Sequence, residues 1–188
     1  MRVLIRPRRD GDFAACADLV REVHALDRYP RFLPGDLRSF LVPPATYGSW
    51  VADQNGEVVG HIALLPHGVR SALEIASSAL GRPADQLAVV ARLFVSPRAR
   101  GKGAGRLLLD TATSEATSRG LWPVLDVDAD LAPAIALYES RGWVRAGMVT
   151  MRFSDGHSLN EYVYTGPGRT ELTGKPSAYL MTPSLLIR

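Results

Sequence analysis

The sequence predicts a mixed α/β domain whose partly parallel central sheet is flanked by helices. Strand-like and helix-like patterns alternate along most of the chain, the order that builds a sheet covered by helices. An apolar run, Leu87 to Val95, feeds a turn of glycines and cations and then, at once, a helical pattern. Length bounds the rest. At 188 residues, 46% hydrophobic and 22% charged, the chain suffices for one domain with a full core and not for two typical ones.

Each element has a local cause. Val3 to Arg6 reads as an opening strand closed by Pro7. Asp10 or Asp12 can cap a helix to about Leu26, whose stripe is Phe13, Cys16 or Ala17, Leu19, Val20, Val23 and Leu26. Breakers fill Tyr29-Pro30 to Pro34-Gly35, and Asp36 can cap a short helix through Leu41, stopped by Pro43-Pro44. Ser49 to Ala52 and Val58 to Leu65 form a hairpin around Gln54-Asn55-Gly56. Between His67 and Gln86, a helix from Ser71 to Leu80 ends at Gly81 and Pro83. After the central strand, a helix runs to about Arg119 with Gly120 as its C-cap, and Trp122 to Val127 is a strand. Asp130 can cap the last helix, with Pro133 in its first turn and Gly142 past its end. Trp143 to Phe153 and Leu159 to Thr165 read as a closing hairpin. The domain is therefore expected to span residues 1–165. Residues 166–188 form a C-terminal extension whose Ala178 to Met181 and Leu185 to Ile187 could pack on its own surface or on a partner subunit, as in a homodimer.

Composition excludes several classes. No apolar run approaches the roughly 18 residues of a membrane span, and the N-terminal apolar patch is too short for a signal peptide. Cys16 is the single cysteine, which excludes an internal disulfide and a cysteine zinc cluster; no metal site is expected. A cytoplasmic location fits. Net charge is only +3, concentrated at Arg2 to Arg9 and at Arg98 to Arg106. Neither cluster is interleaved with aromatics, so a nucleic-acid surface is not expected.

The second cluster carries the chemistry. In Arg98-Ala99-Arg100-Gly101-Lys102-Gly103-Ala104-Gly105-Arg106, glycines let backbone approach a ligand, and the next helix begins with unpaired amides at the positive end of its dipole. Such a strand–turn–helix corner suits a pyrophosphate. The spacing does not fit a P-loop, because Gly103 follows Lys102 where Ser or Thr is required. Nor does it fit the dinucleotide fingerprint, because Arg106 stands at the third glycine position. Downstream, Ala134-Ile135-Ala136-Leu137-Tyr138-Glu139-Ser140-Arg141-Gly142-Trp143 places Ala134, Leu137, Tyr138 and Arg141 on one helix face.

Together, Arg100-x-x-Gly103-x-Gly105 and Ala134-x-x-Leu137-Tyr138-Glu139-x-x-Gly142-Trp143 resemble the two signatures of the GNAT N-acetyltransferase superfamily. The resemblance covers roughly Val3 to Thr165, with Leu87 to Trp143 carrying nearly all its weight. It implies a GNAT-like fold and transfer of an acetyl group from acetyl-CoA to a primary amine of a small molecule or peptide, by direct attack in a ternary complex. It implies that the Leu87–Val95 and Trp122–Val127 strands splay apart to admit the pantetheine. Backbone groups of Phe94 and Val95 would bond that arm, and Arg100, Gly101, Lys102, Gly103, Ala104, Gly105 and Arg106 would hold the pyrophosphate. Tyr138 would protonate the departing sulfur; the alternative for such a tyrosine is core packing with a tethered hydroxyl.

Two departures leave the general base open. The central strand begins Leu87-Ala88-Val89-Val90-Ala91 with no carboxylate, and Leu131 stands where relatives often carry asparagine. Candidates are Asp126 and Asp128 on one face of the fifth strand, with His24, Asp27, Glu74 and Glu161; a water chain is equally admissible. The acceptor is expected between His24–Leu33 and Ser154–Asn160, with His24, Asp27, Arg28 and Tyr29 as a polar-aromatic group, and the His67–Gln86 insertion could wall that pocket. A non-catalytic acyl-CoA-binding module with the same fold is the alternative reading.

Overall fold

The structure, a computed structural model, describes residues 3–153 and 158–168. The apolar tail segments at 178–181 and 185–187, and residues 154–157 of the expected acceptor hairpin, lie outside the described residues.

Among the described residues seven strands form one sheet: β1 (Leu4–Pro7), β2 (Gly48–Gln54), β3 (Glu57–Leu65), β4 (Leu87–Val95), β5 (Trp122–Asp128), β6 (Val144–Arg152) and β7 (Ser158–Thr165). Their spatial order is β1-β2-β3-β4-β5-β7-β6, and only β4 with β5 is parallel. Five α-helices among the described residues cover it: α1 (Phe13–Asp27), α2 (Leu37–Leu41), α3 (Arg70–Leu80), α4 (Ala104–Ser118) and α5 (Ala132–Ser140).

The strand alternation sorts residues to two faces. On one, α1 and α2 bury Cys16, Leu19, Val20, Val23 and Leu41 against Val51 and Phe94. Farther along that face, α3 covers Ala63, Leu65, Leu87, Val89, Val124 and Val163. On the other, Leu108, Leu109, Ala112 and Ala116 of α4, with Tyr138 of α5, pack on Ile62, Leu64, Ala88, Val90, Leu125 and Tyr164. Each fully buried leucine there contributes about 1.5–3 kcal/mol.

Local signals behave unevenly. Asp36 caps α2, its carboxylate accepting from the Arg38 amide at 2.9 Å and the Ser39 amide at 3.2 Å. The β2–β3 turn uses Asn55 and Gly56 at φ 57° and 85°, as a two-residue hairpin requires. Asp12 does not cap α1: its carboxylate is taken by Arg6, at 2.8 and 2.9 Å, and by the Arg9 amide. Asp130 does not cap α5 either. Its own amide instead donates to Asp128 at 2.9 Å, and Leu131 takes the cap position. The α3 segment sits on the core. Ile75 presses so close to Gly147 of β6 that a Cβ there would stand 2.8 Å from its methyl.

Two irregularities shape the centre of the sheet. β4 and β5 pair only at Leu87–Trp122, Ala88–Pro123 and Val89–Val124, although β4 continues to Val95 and β5 to Asp128. Beyond Val89 the strands part. The second is a bulge in β4 opposite His61–Ala63, where Arg92 adopts φ 56°.

Candidate active site

The mouth of the split leads directly to the glycine-rich turn. A short 3-10 turn, Pro97–Ala99, turns the chain out of β4. Gly101 and Gly103 then take φ 72° and 87°, left-handed values that only glycine adopts without cost. Gly103 is the N-cap of α4, and no side chain caps the helix. The first helical bond runs from the Leu107 amide to the Gly103 carbonyl at 3.0 Å, leaving the preceding amides for an external acceptor. Arg106 folds back over this corner, with a guanidinium nitrogen 3.7 Å from where a Gly103 Cβ would stand. Arg100 behaves differently. Its guanidinium pairs with Asp27 at the end of α1, one bond being 3.2 Å, and its Nε donates to the Val95 carbonyl at 3.2 Å. Lys102 donates to the Arg98 carbonyl at 3.0 Å.

Further along the sheet stands a group of titratable side chains. Asp126 of β5 and Glu161 of β7 share a sheet face, because their strands pair Asp126 with Val163 and Asp128 with Glu161. Their carboxyl groups are in hydrogen-bond contact, so one of them carries a proton. Burial and the Asp126 charge push Glu161 up to about 8, whereas burial is the main influence raising Asp126. The proton therefore rests chiefly on Glu161, whose Oε2 is buried without a partner. Burial raises the Tyr29 phenol, with Asp126 and Glu161 adding to the effect and Arg92 opposing it. Arg92 itself stacks on Phe40 at 4.9 Å, and its Nη1 is buried without a partner. The bulge that aims it is held by His61, fully buried, whose Nδ1 donates to the Arg92 carbonyl at 3.1 Å. His61 also stacks on Phe94 at 5.1 Å, and desolvation drops it to about 4, so it is neutral at pH 7.

Tyr138 approaches from the opposite face. It is 7% exposed, wedged between Trp143 and Tyr164 at centroid distances of 6.0 and 6.2 Å. Tyr164 ties its hydroxyl to Glu139 at 2.8 Å. Tyr138 has no such tether. Burial first, then the charges of Tyr29 and Asp126, raise its phenol, and no hydrogen bond contributes.

The family model described as the acetyltransferase (GNAT) family matches residues 15–143, more than half of the chain. The chain belongs to the GNAT acetyltransferase family. Among curated relatives it is 39% identical over 114 residues to mycothiol acetyltransferase of Acidothermus cellulolyticus, covering 60% of this chain and 34% of that protein. The chain thus spans about a third of the length of that relative. Among solved structures it resembles the ribosomal-protein-S18-alanine N-acetyltransferase of Escherichia coli, with TM-score 0.64 and 22% identity over 88% of this chain and 94% of that one. It also resembles yncA of Salmonella typhimurium, solved with its cofactor acetyl-CoA, with TM-score 0.64 and 19% identity over 94% and 99% of the two chains. At these identities the structural likeness speaks for the fold.

Within this GNAT domain the structure gathers some sequence candidates and disperses others. Tyr29, Asp126, Glu161 and Tyr138 are close enough for charge to act between them: Asp126 and Glu161 on the Tyr29 phenol, and Tyr29 and Asp126 on the Tyr138 phenol. Asp128 sits 3.7 Å from Arg31. His24 is committed to the Pro30 carbonyl at 2.8 Å, Asp27 to Arg100, and Arg28 is the exposed C-cap of α1 at φ 58°. Glu74 lies on the outer side of α3, paired with Arg70 at 2.9 Å. The helix of the His67–Gln86 insertion, α3, packs on β5, β6 and β7, on the sheet face that carries Asp126 and Glu161. Sequence reasoning missed Arg92 and His61. The signal available for Arg92 was a lone cation inside an otherwise apolar strand, Leu87 to Val95. No helix among the described residues is long and apolar enough to cross a membrane.

Proposed function

We propose that this protein transfers an acetyl group from acetyl-CoA to a primary amine by direct attack in a ternary complex. The observation that carries the reading is the uncapped N-terminus of α4 at the mouth of a split parallel strand pair. It offers free amides for a pyrophosphate and free strand edges for an extended arm, and the residues present fit acetyl-CoA on both counts. The amides from Gly101 to Arg106, with the Arg106 side chain, would hold the pyrophosphate; the backbone of Phe94 and Val95 would hold the pantetheine. Arg100 and Lys102, turned onto Asp27 and the Arg98 carbonyl, would act by shaping the turn and adding positive field.

Acetyl-CoA supplies an acetyl group activated as a thioester. The Asp126–Glu161 pair, once it has lost its shared proton, takes a proton from the acceptor ammonium and frees the nitrogen lone pair to form the new amide bond. Tyr138 keeps its proton at neutral pH because burial raises the phenol, so it can hydrogen-bond to the sulfur as the carbon–sulfur bond breaks and protonate the thiolate, and the second proton that the nitrogen sheds on becoming an amide restores the phenol. The desolvated Asp126–Glu161 pair and the untethered Tyr138 favour an enzyme over a non-catalytic acyl-CoA-binding module.

Calorimetric titration with acetyl-CoA, followed by an assay of thiol release over amine acceptors, tests the reading. Micromolar binding with acceptor-dependent thiol release supports it. Absence of binding to acetyl-CoA and longer acyl-CoAs removes it.

A further inference from the structure

The acceptor side of the split holds two unpaired, opposite charges. The Arg92 guanidinium makes no ion pair among the described residues, and one of its nitrogens is buried without an acceptor. The Asp126–Glu161 pair likewise has no cation against it and satisfies itself by sharing a proton, with Glu161 Oε2 left without a partner. Asp128, the nearest further carboxylate, is occupied by Arg31 and by the Asp130 amide. Arg92, stacked on Phe40 of α2, and the pair therefore stand on the same sheet face on either side of the β4–β5 split, with no ion pair between them.

Nothing in the fold itself calls for arginine at position 92. Its φ of 56° disfavours a long L side chain, and its place on a central strand favours an apolar one. A guanidinium buried in part and left unpaired lowers stability unless a ligand completes it. A planar fork of donors is the match for a carboxylate.

We propose that the acceptor is a free amino acid, whose carboxylate pairs with Arg92 while its amine faces the Asp126–Glu161 pair. The inference rests on the acetyltransferase reading and gives it a substrate class. A zwitterion meets both charges at once. An amine without an anion leaves Arg92 unpaired in a desolvated pocket, and a second cation on the acceptor is repelled by it.

The test is thiol release from acetyl-CoA with a panel of free amino acids, their carboxamides and the matched decarboxylated amines. At least one free amino acid should be turned over with kcat/KM at least about 100-fold above its carboxamide. In Arg92→Gln the KM for that amino acid should rise at least tenfold, with kcat changed less and the carboxamide unaffected. Arg92→Lys should recover part of the loss, because it keeps the charge and loses the fork. An unchanged Kd for acetyl-CoA certifies that each variant is folded; if Arg92→Gln does not fold, the wild-type ratio of amino acid to carboxamide decides alone. Equal or better turnover of carboxamides or simple amines overturns the inference. So does a protein that binds acetyl-CoA and acetylates no free amino acid in the panel. Failure to bind acetyl-CoA is a different result, because it removes the acetyltransferase reading beneath it.

Discussion

The two ends of the split strand pair are built from different materials. The α4 end is a backbone site: one turn of consecutive residues, two glycines at positive φ and a helix start without a cap. The end proposed for the acceptor is made of side chains, drawn from the α1–α2 loop (Tyr29), the β4 bulge (Arg92), β5 (Asp126), α5 (Tyr138) and β7 (Glu161). A backbone site depends on conformation and tolerates most side-chain changes. A side-chain site depends on which elements the fold brings together, and each member is exposed to single substitutions.

The sharpest way to break this contrast is at position 103. Gly103→Asp puts a side chain at φ 87° and a carboxylate beside the anion site. Left-handed strain of roughly 1–2 kcal/mol plus like-charge repulsion should weaken acetyl-CoA binding at least about 100-fold by calorimetry. Gly105→Ala is the control. Its Cβ would meet Leu137 at 3.4 Å, an ordinary contact at an ordinary helical φ, so binding should persist. If both variants bind alike, the corner is not a cradle.

At the other end, Tyr138→Phe removes one oxygen that has no hydrogen-bond partner to lose. Folding should be unaffected, acetyl-CoA affinity unchanged, and turnover at least about tenfold lower. Unchanged turnover would leave Tyr138 as an aromatic wedge between Trp143 and Tyr164.

The same contrast explains what could be read in advance. The turn from Arg98 to Arg106 is contiguous, so its spacing was visible in the chain. The strands were visible for a similar reason: Val58–Leu65 and Leu87–Val95 are apolar enough to demand burial on both faces. The proposed acceptor site was not, because its members lie on separate elements and are joined only by sheet register. Glu161 and Asp126 were two carboxylates among several until the β5–β7 pairing put them on one face. Capping showed the same limit: Asp12 and Asp130 look like Asp36 in sequence, but Arg6 claims one and the Asp128 turn displaces the other. Arg92 was hidden by an unpredicted bulge that turns consecutive residues to one side.

Glu161→Gln sharpens the side-chain end through its pH dependence. A base must lose its proton to act, and Glu161 holds the shared one up to about pH 8. The logarithm of kcat/KM should therefore rise with pH to about 8 and then flatten, with any limb from the acceptor amine above it. The variant should lose the limb near 8 and keep the other. Stability runs the opposite way. A carboxyl whose pKa is raised on folding binds more protons in the native state, so stability falls as pH climbs from the unfolded value of about 4.5 to about 8. In Glu161→Gln that decline should shrink, as followed by thermal melts across the range. His61 gives the acid-side counterpart. With its folded value at about 4, the unfolded chain binds more protons between there and about 6.5, and stability falls as pH is lowered through that window.

The smallest expected effect decides how Arg100 works. A charged hydrogen bond from its guanidinium to a phosphate would be worth about 1.5–3 kcal/mol, so removing it would weaken acetyl-CoA binding by more than tenfold. The structure instead commits that guanidinium to Asp27 and to the Val95 carbonyl, both at a partly exposed surface. An ion pair of that kind is worth about 0–1 kcal/mol. Arg100→Ala should then raise the Kd for acetyl-CoA by no more than about fivefold, and Asp27→Asn should produce a change of similar size by loosening the same contact. A much larger loss in Arg100→Ala, with Asp27→Asn neutral or tighter in binding, would mean that the arginine leaves Asp27 for the phosphate. In that case the α4 end would have a side-chain component of its own, and the division between the two ends would narrow to Gly103 and the uncapped amides.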